Sequence, residues 1–439
     1  WGITVVCATS FLVFFSYMSM QNLESSLRPG TGTTAVGVLY FAIICGTPLA
    51  PKVINALGRK RALVLSACTY VAFIASNLYP VWQVMMPAAV VLGLGGAIFW
   101  PTTLSLIKHF SVKHAEAVGG DKSKCLDRFS SAFWGSFQFS QLAGSVMIYL
   151  IFQGKDDKGG GGAVERAADL LAVIFTICAS VGCLLASLFL EDVDRKKGGK
   201  EGGAALADEQ QLQGDEGDEN GGEGGENSQV DLKFAVRLIT SPRSLLMLGV
   251  YFYNGLEQGF AWCDFTSGMV LATFGDKAMI GILMLCYAGA NAITGSLSAQ
   301  VSSSRRMTRG LIFYAMASQS ACVLLVHLLL DKKKAPLYLV AVVLGAGDAL
   351  LNTKIGLLIG TDFKGKQHVI TVSIWRGVTA AGCAIPFFLS GHAGIATDIA
   401  MLVGAGAAAV VLFMGYCTRA IKQEEVESGE QYQPILDDD

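Results

Sequence analysis

Charge is scarce in this sequence: 15% of its 439 residues are Asp, Glu, Lys or Arg, against 52% hydrophobic. The few charges cluster between apolar runs mostly about 20 residues long, the length a helix needs to cross a bilayer core. A net charge of −2 leaves no basic footprint for nucleic acid. The five histidines (His109, His114, His327, His368, His392) lack metal-ligand spacing, and the eleven cysteines include no CxxC pair, so no metal or cofactor is expected. Most of those cysteines lie inside apolar runs, where they read as small packing residues. No nucleophile, base and orienting group recur in a recognisable arrangement, and no glycine-rich phosphate loop follows a strand, which argues against an enzyme. No Asn-x-Ser/Thr sequon marks an outer loop.

What is present is a series of apolar runs. They predict an all-α polytopic membrane protein with twelve transmembrane helices, over 1–20, 33–51, 62–79, 83–107, 129–152, 168–190, 244–272, 278–301, 310–330, 337–360, 369–391 and 395–417. The chain opens at Trp1 inside the first run without an initiating Met. That run is expected to be a span rather than a cleaved signal, with the natural N-terminus upstream. Orientation follows the retention of Lys and Arg on the cytoplasmic side. With both termini inside, the inner segments hold 16 of these residues and the outer segments 8, despite Lys332, Lys333 and Lys334 outside. The expected division is a six-helix bundle over 1–190, a connector over 191–243, a second six-helix bundle over 244–421 and a cytoplasmic tail over 422–439. The connector's middle, including GDEGDENGGEGGE, cannot bury enough apolar surface to offset its ordering entropy, so disorder is expected there. Its basic ends suit anionic headgroups. In the tail, Tyr432 and Ile435 fit a tyrosine-x-x-bulky-apolar endocytic sorting signal.

Two Lys/Arg remain at depth, Lys354 and Arg376, and the acids Glu257, Asp264 and Asp348 accompany them in the C-terminal half. The N-terminal spans carry no charge beyond their edges. A charge in the bilayer core costs at least about 2.5–3.5 kcal/mol on insertion scales, so such residues face a bundle interior or a cavity. Asp264, seven residues after Glu257, is expected on the same helical face, making an acidic stripe. Asp348 and Asn352 share a face, whereas Lys354 points away and is expected to snorkel partly. Arg376 is expected to pair with an acid. A proton or cation site and a structural ion pair both fit these residues.

The halves repeat weakly: Leu92-Gly93-Leu94-Gly95-Gly96-Ala97 corresponds to Leu344-Gly345-Ala346-Gly347-Asp348-Ala349. Six spans, a connector and six related spans resemble the plan of the major facilitator superfamily. Gly58-Arg59-Lys60-Arg61 resembles the basic end of that superfamily's loop signature, but Asn55 stands where the signature has an acid. As a topology anchor the same basic cluster needs no further role.

Several segments together are more specific: Gln21-Asn22-Leu23-Glu24-Ser25-Ser26-Leu27, the run from Leu57 to Pro80, LGLGGAIFWPTT from Leu92, Gly255-Leu256-Glu257-Gln258, Asp264-Phe265-Thr266 and Gly347-Asp348-Ala349. They resemble the uncoordinated-ninety-three (Unc-93-like) family, a divergent branch of the major facilitator superfamily. The resemblance covers the membrane region but not the connector or tail. It implies a non-enzymatic regulator of an integral membrane partner, a potassium channel or a receptor that the protein escorts, in the plasma or an endosomal membrane. Relatives are expected to hold an uncharged amide at Lys354 and an acid at Arg376. The alternative is a secondary transporter coupling a proton or cation through Glu257, Asp264 or Asp348 to a small-molecule substrate.

Overall fold

The computed structural model describes residues 1–155, 162–194, 237–300, 304–329, 334–363, 366–390, 392 and 394–427. The middle of the expected connector and the candidate signal at Tyr432 and Ile435 lie outside them. The helices of the N-terminal half are α1 (Gly2–Leu27), α2 (Thr31–Gly46), α3 (Ala50–Leu57), α4 (Arg59–Ser76), α5 (Trp82–Val118), α6 (Lys122–Phe152) and α7 (Gly162–Phe189). Those of the C-terminal half are α8 (Pro242–Gly259), α9 (Ala278–Gln300), α10 (Arg305–Leu329), α11 (Ala335–Asp362), α12 (Lys366–Leu389) and α13 (Ile395–Glu427). Between α8 and α9 the winding loosens into a π-helical segment, Phe260–Leu271, closed by the turn Ala272–Phe274.

Local chemistry sets many of these ends. Prolines occupy the first turns of α3, α8 and α11, where a missing N–H costs nothing. Ser241 caps α8 by accepting from the Ser244 amide at 3.3 Å. Gly119 ends α5 in the left-handed conformation, φ 64°, which a side chain would resist. The expected second span, 33–51, breaks at Gly46. Pro48 and Pro51 cannot continue its hydrogen-bond ladder, and α3 leaves at 74°.

Each expected span lies on a helical stretch. Among the described residues eight helices are long and apolar enough to cross a membrane, and the bent α2–α3 pair makes a ninth. The packing repeats between halves. In the first, α1 packs on α6 and α7, α2 on α5, and α4 on α5 and α7; in the second, α8 packs on α12 and α13, α9 on α11, and α10 on α11 and α13. Across the halves α2 meets α12, α6 meets α9, and α1 meets the π-helical segment. Exchanging the halves turns the first contact into the second and returns the third to itself, the geometry of a pseudo-two-fold axis.

The two interiors differ in chemistry. The N-terminal half is filled by aromatic rings: Phe14 lies 4.9 Å from Phe137, 5.0 Å from Trp100 and 5.4 Å from Phe99 between ring centroids. Buried carboxyl and amide groups occur there too, at Glu24, Gln21 and Asn77, but in the C-terminal half two acids are joined to several amides in one network.

Candidate functional site

Small residues bring the helices of that half close enough for short polar side chains to meet. A methyl at Gly255 would collide with the Thr379 carbonyl of α12, and one at Gly345 with the Tyr287 carbonyl of α9. Close backbone approach of this kind replaces the hydrophobic drive that is lost in lipid. It also presses Gly347 against the side chain of Gln319 in α10.

Glu257 of α8 is completely buried and Asp348 of α11 is 6% exposed. Asp348 is held by three carboxamides. Gln258 and Asn352 donate to Oδ1 at 2.8 and 2.6 Å, and Asn291 of α9 donates to Oδ2 at 2.6 Å. Asn352 also donates to the Asp348 carbonyl at 3.0 Å and accepts from Asn254 at 3.4 Å. Glu257 accepts from Gln319 Nε2 at 3.0 Å, the same nitrogen reaching the Leu344 carbonyl at 3.1 Å. The set crosses to the N-terminal half, because Gln138 of α6 donates to Asn291 Oδ1 at 2.7 Å. The two carboxyl groups are close enough to interact electrostatically. Unit charges 4 Å apart repel by about 4 kcal/mol at an effective dielectric constant near 20. Among the described residues neither acid makes an ion pair.

The other expected members of this site are placed elsewhere. Asp264 does not continue the stripe from Glu257. The wider π-helical turns put it out of phase, and it interacts instead with Asp398 in the first turn of α13. Asn352 sits beside Asp348 as expected. Lys354 does not snorkel: it is 3% exposed, and its ammonium donates to the Ser298 carbonyl at 2.7 Å, in the last turn of α9. That bond satisfies a free carbonyl at the negative end of the helix. Arg376, expected to pair with an acid, has Asp348 within electrostatic reach, but among the described residues the two make no ion pair. The guanidinium lies over the ring of its neighbour Trp375, 4.3 Å from the centroid.

The loop signature is completed from a distant part of the chain. Asn55 is exposed on α3, while Arg59 is 7% exposed. Asp194, just after α7, accepts from the Arg59 backbone amide at 2.6 Å and from the guanidinium at 2.9 and 3.2 Å. Partial burial pushes the Asp194 carboxyl up, but the bonds and charge of Arg59 outweigh it and hold it below the usual carboxylate range. Gly58, at φ 77°, makes the turn that presents Arg59, with Lys60 and Arg61 following in α4. At the same end of the C-terminal half, Asp362 receives Arg243 at 3.2 Å, Arg305 at 3.7 Å and the Tyr416 hydroxyl.

Sequence reasoning missed Gln138, Asn291, Gln319 and Asp194. The first three carried a signal, an amide within an apolar run, which a count of charges alone overlooks. Glu24, expected only at the edge of its span, is 1% exposed within α1. Among the described residues no cluster of three or more His, Cys, Asp or Glu is arranged to hold a metal ion.

Residues 24–414 match the family described as "Ion channel regulatory protein UNC-93". UNC93-like protein 3 of Arabidopsis thaliana is 29% identical over 419 residues, covering 91% of this chain and 82% of that protein. Human Protein unc-93 homolog A is 25% identical over 424 residues, covering 92% and 90%. The Caenorhabditis elegans protein named "Putative potassium channel regulatory protein unc-93" is 21% identical over 447 residues, 94% of this chain and 59% of that one. Among solved structures, a POT family transporter in complex with 5-aminolevulinic acid superposes with a TM-score of 0.66 at 12% identity, over 96% of each chain. That likeness establishes a major-facilitator-type fold and nothing about cargo. The match over most of its length places this chain in the UNC-93 family.

Proposed function

We propose that the protein is a non-enzymatic regulator that binds an integral membrane partner, an ion channel, and alters its activity or delivery to the membrane. Family membership supports the regulatory role, and the name of the Caenorhabditis elegans relative supports a potassium channel as the partner class. The observation that carries the reading is the state of the buried acids. Both carboxyls are enclosed within the bundle, and the hydrogen bonds they accept come from the protein's own amides. The loop contact stays within one half: Asn55 stands where the signature has an acid, and Arg59 is tied instead to Asp194 just after α7. In this reading the chain divides at 190 and 243, both termini and the connector face the cytosol, and Tyr432 and Ile435 direct traffic between the plasma and endosomal membranes.

A transporter remains the second reading, favoured by the fold and by Arg376, a cation at depth that makes no ion pair among the described residues. Candidate potassium channels co-expressed with the protein separate the two. A change in current density or surface abundance, accompanied by co-purification of the channel, is expected; unchanged currents and no co-purification across the candidates would refute the regulatory reading.

A further inference from the structure

The acids Glu257 and Asp348 raise a problem of charge that the amides around them do not solve. Every side chain shown donating to either carboxylate is a neutral carboxamide. The titratable groups facing them are Tyr253 on α8, Tyr287 on α9, and Cys383 and Arg376 on α12. Of these only Arg376 is a cation; it lies on Trp375 within electrostatic reach of Asp348 but makes no ion pair with either acid. Two neighbouring negative charges enclosed this way have one cation within reach and no ion pair, which leaves one negative charge uncompensated. Three buried oxygens of this network have no hydrogen-bond donor, Glu257 Oε1, Gln319 Oε1 and, one amide removed from Asp348, Asn254 Oδ1; the Tyr287 hydroxyl beside Asp348 is likewise unbonded. Flipping the Gln319 amide would not help, because its nitrogen is fixed by two acceptors, Glu257 and the Leu344 carbonyl.

We propose that Glu257 and Asp348, with the carboxamide oxygens of Gln319 and Asn254, hold one monovalent positive charge inside the C-terminal bundle, an alkali cation or a proton. Hard carboxylate and amide oxygens are the ligand type that alkali ions accept, and the absence of thiolate or imidazole ligands from the set disfavours a soft metal. Occupancy would reach the boundary between the halves, since Asp348 is joined through Asn291 to Gln138. The site stands on its own geometry and does not depend on which partner the protein regulates.

The test uses the full chain in lipid nanodiscs. Thermal stability and binding of radiolabelled sodium or rubidium are measured in sodium, potassium or choline chloride over a pH series, for the wild type and Glu257→Gln. Bound alkali cation is expected to saturate, to raise the melting temperature above that in choline, and to be lost in Glu257→Gln. If the charge is a proton, alkali salts have no effect; the wild type gains stability on acidification where Glu257→Gln does not. Should Glu257→Gln not fold, Asp348→Asn must show the same loss. A wild type and variant with the same dependence on both salt and pH would overturn the proposal.

Discussion

Replacing Asp348 by Asn and by Leu should have sharply different costs, because the amides around it can reverse direction but cannot be left empty. Asparagine keeps Oδ1 for Gln258 and Asn352, and its new NH2 then opposes the Asn291 NH2. Turning Asn291 over repairs that clash and presents its NH2 to Gln138, which turns in its place. The rearrangement ends there, because Gln138 Oε1 has no partner to lose. The loss is therefore one of bond strength, charged to neutral, at roughly 1 kcal/mol per bond over three bonds, and when no cation or proton is held between the acids it is offset by relief of the repulsion from Glu257. A net cost below about 2 kcal/mol is expected. Leucine leaves the Gln258 and Asn291 donors without an acceptor, at about 1–3 kcal/mol each, while Asn352 keeps the Asp348 backbone carbonyl. Thermal melts of the purified variants and their surface expression check this. Asp348→Asn should fold and reach its membrane, and Asp348→Leu should be retained and degraded; equal stability of the two would refute the network.

Further outcomes follow from the same geometry. Gly345→Val drives a side chain into the Tyr287 carbonyl and should cost about 1–3 kcal/mol by separating α9 from α11, read as a lower melting temperature. Because Arg59 lowers the Asp194 pKa, the latch between them contributes fully at neutral and mildly acidic pH. It is lost only as pH falls through that lowered value, so a disulfide-trapping reporter across the pair should report contact at endosomal acidity. Arg59→Ala should free that contact at every pH. Protease added to sealed right-side-out vesicles should spare the connector between residues 202 and 225; cleavage there would invert the proposed topology.

Much of the fold was legible because hydropathy and length determine spans almost directly in a bilayer. The concentration of depth charges in the C-terminal half likewise pointed to the bundle that holds the polar core. Three things were not legible for physical reasons. The π-helical segment that turns Asp264 from Glu257 toward Asp398 has no composition that separates it from an α-helix. A carboxamide such as Gln319 or Asn291 has no charge to require a partner, so its role emerges only when Gly345 and Gly347 bring helices together. Asp194 stands in for the absent acid at Asn55 from 139 positions further along the chain, beyond the reach of a local motif. Lys354, expected to snorkel, instead binds the Ser298 carbonyl, and Arg376, expected to pair with an acid, lies on the Trp375 ring within electrostatic reach of Asp348 but without an ion pair.

Reconstitution into liposomes under imposed proton, sodium and potassium gradients tests the central claim most directly, with solute flux measured for the wild type and Glu257→Gln and currents of a co-reconstituted potassium channel recorded in parallel. The regulatory account expects altered channel current without gradient-driven uptake of solute. Saturable uptake that follows a gradient and disappears in Glu257→Gln, with channel current unchanged, would contradict it.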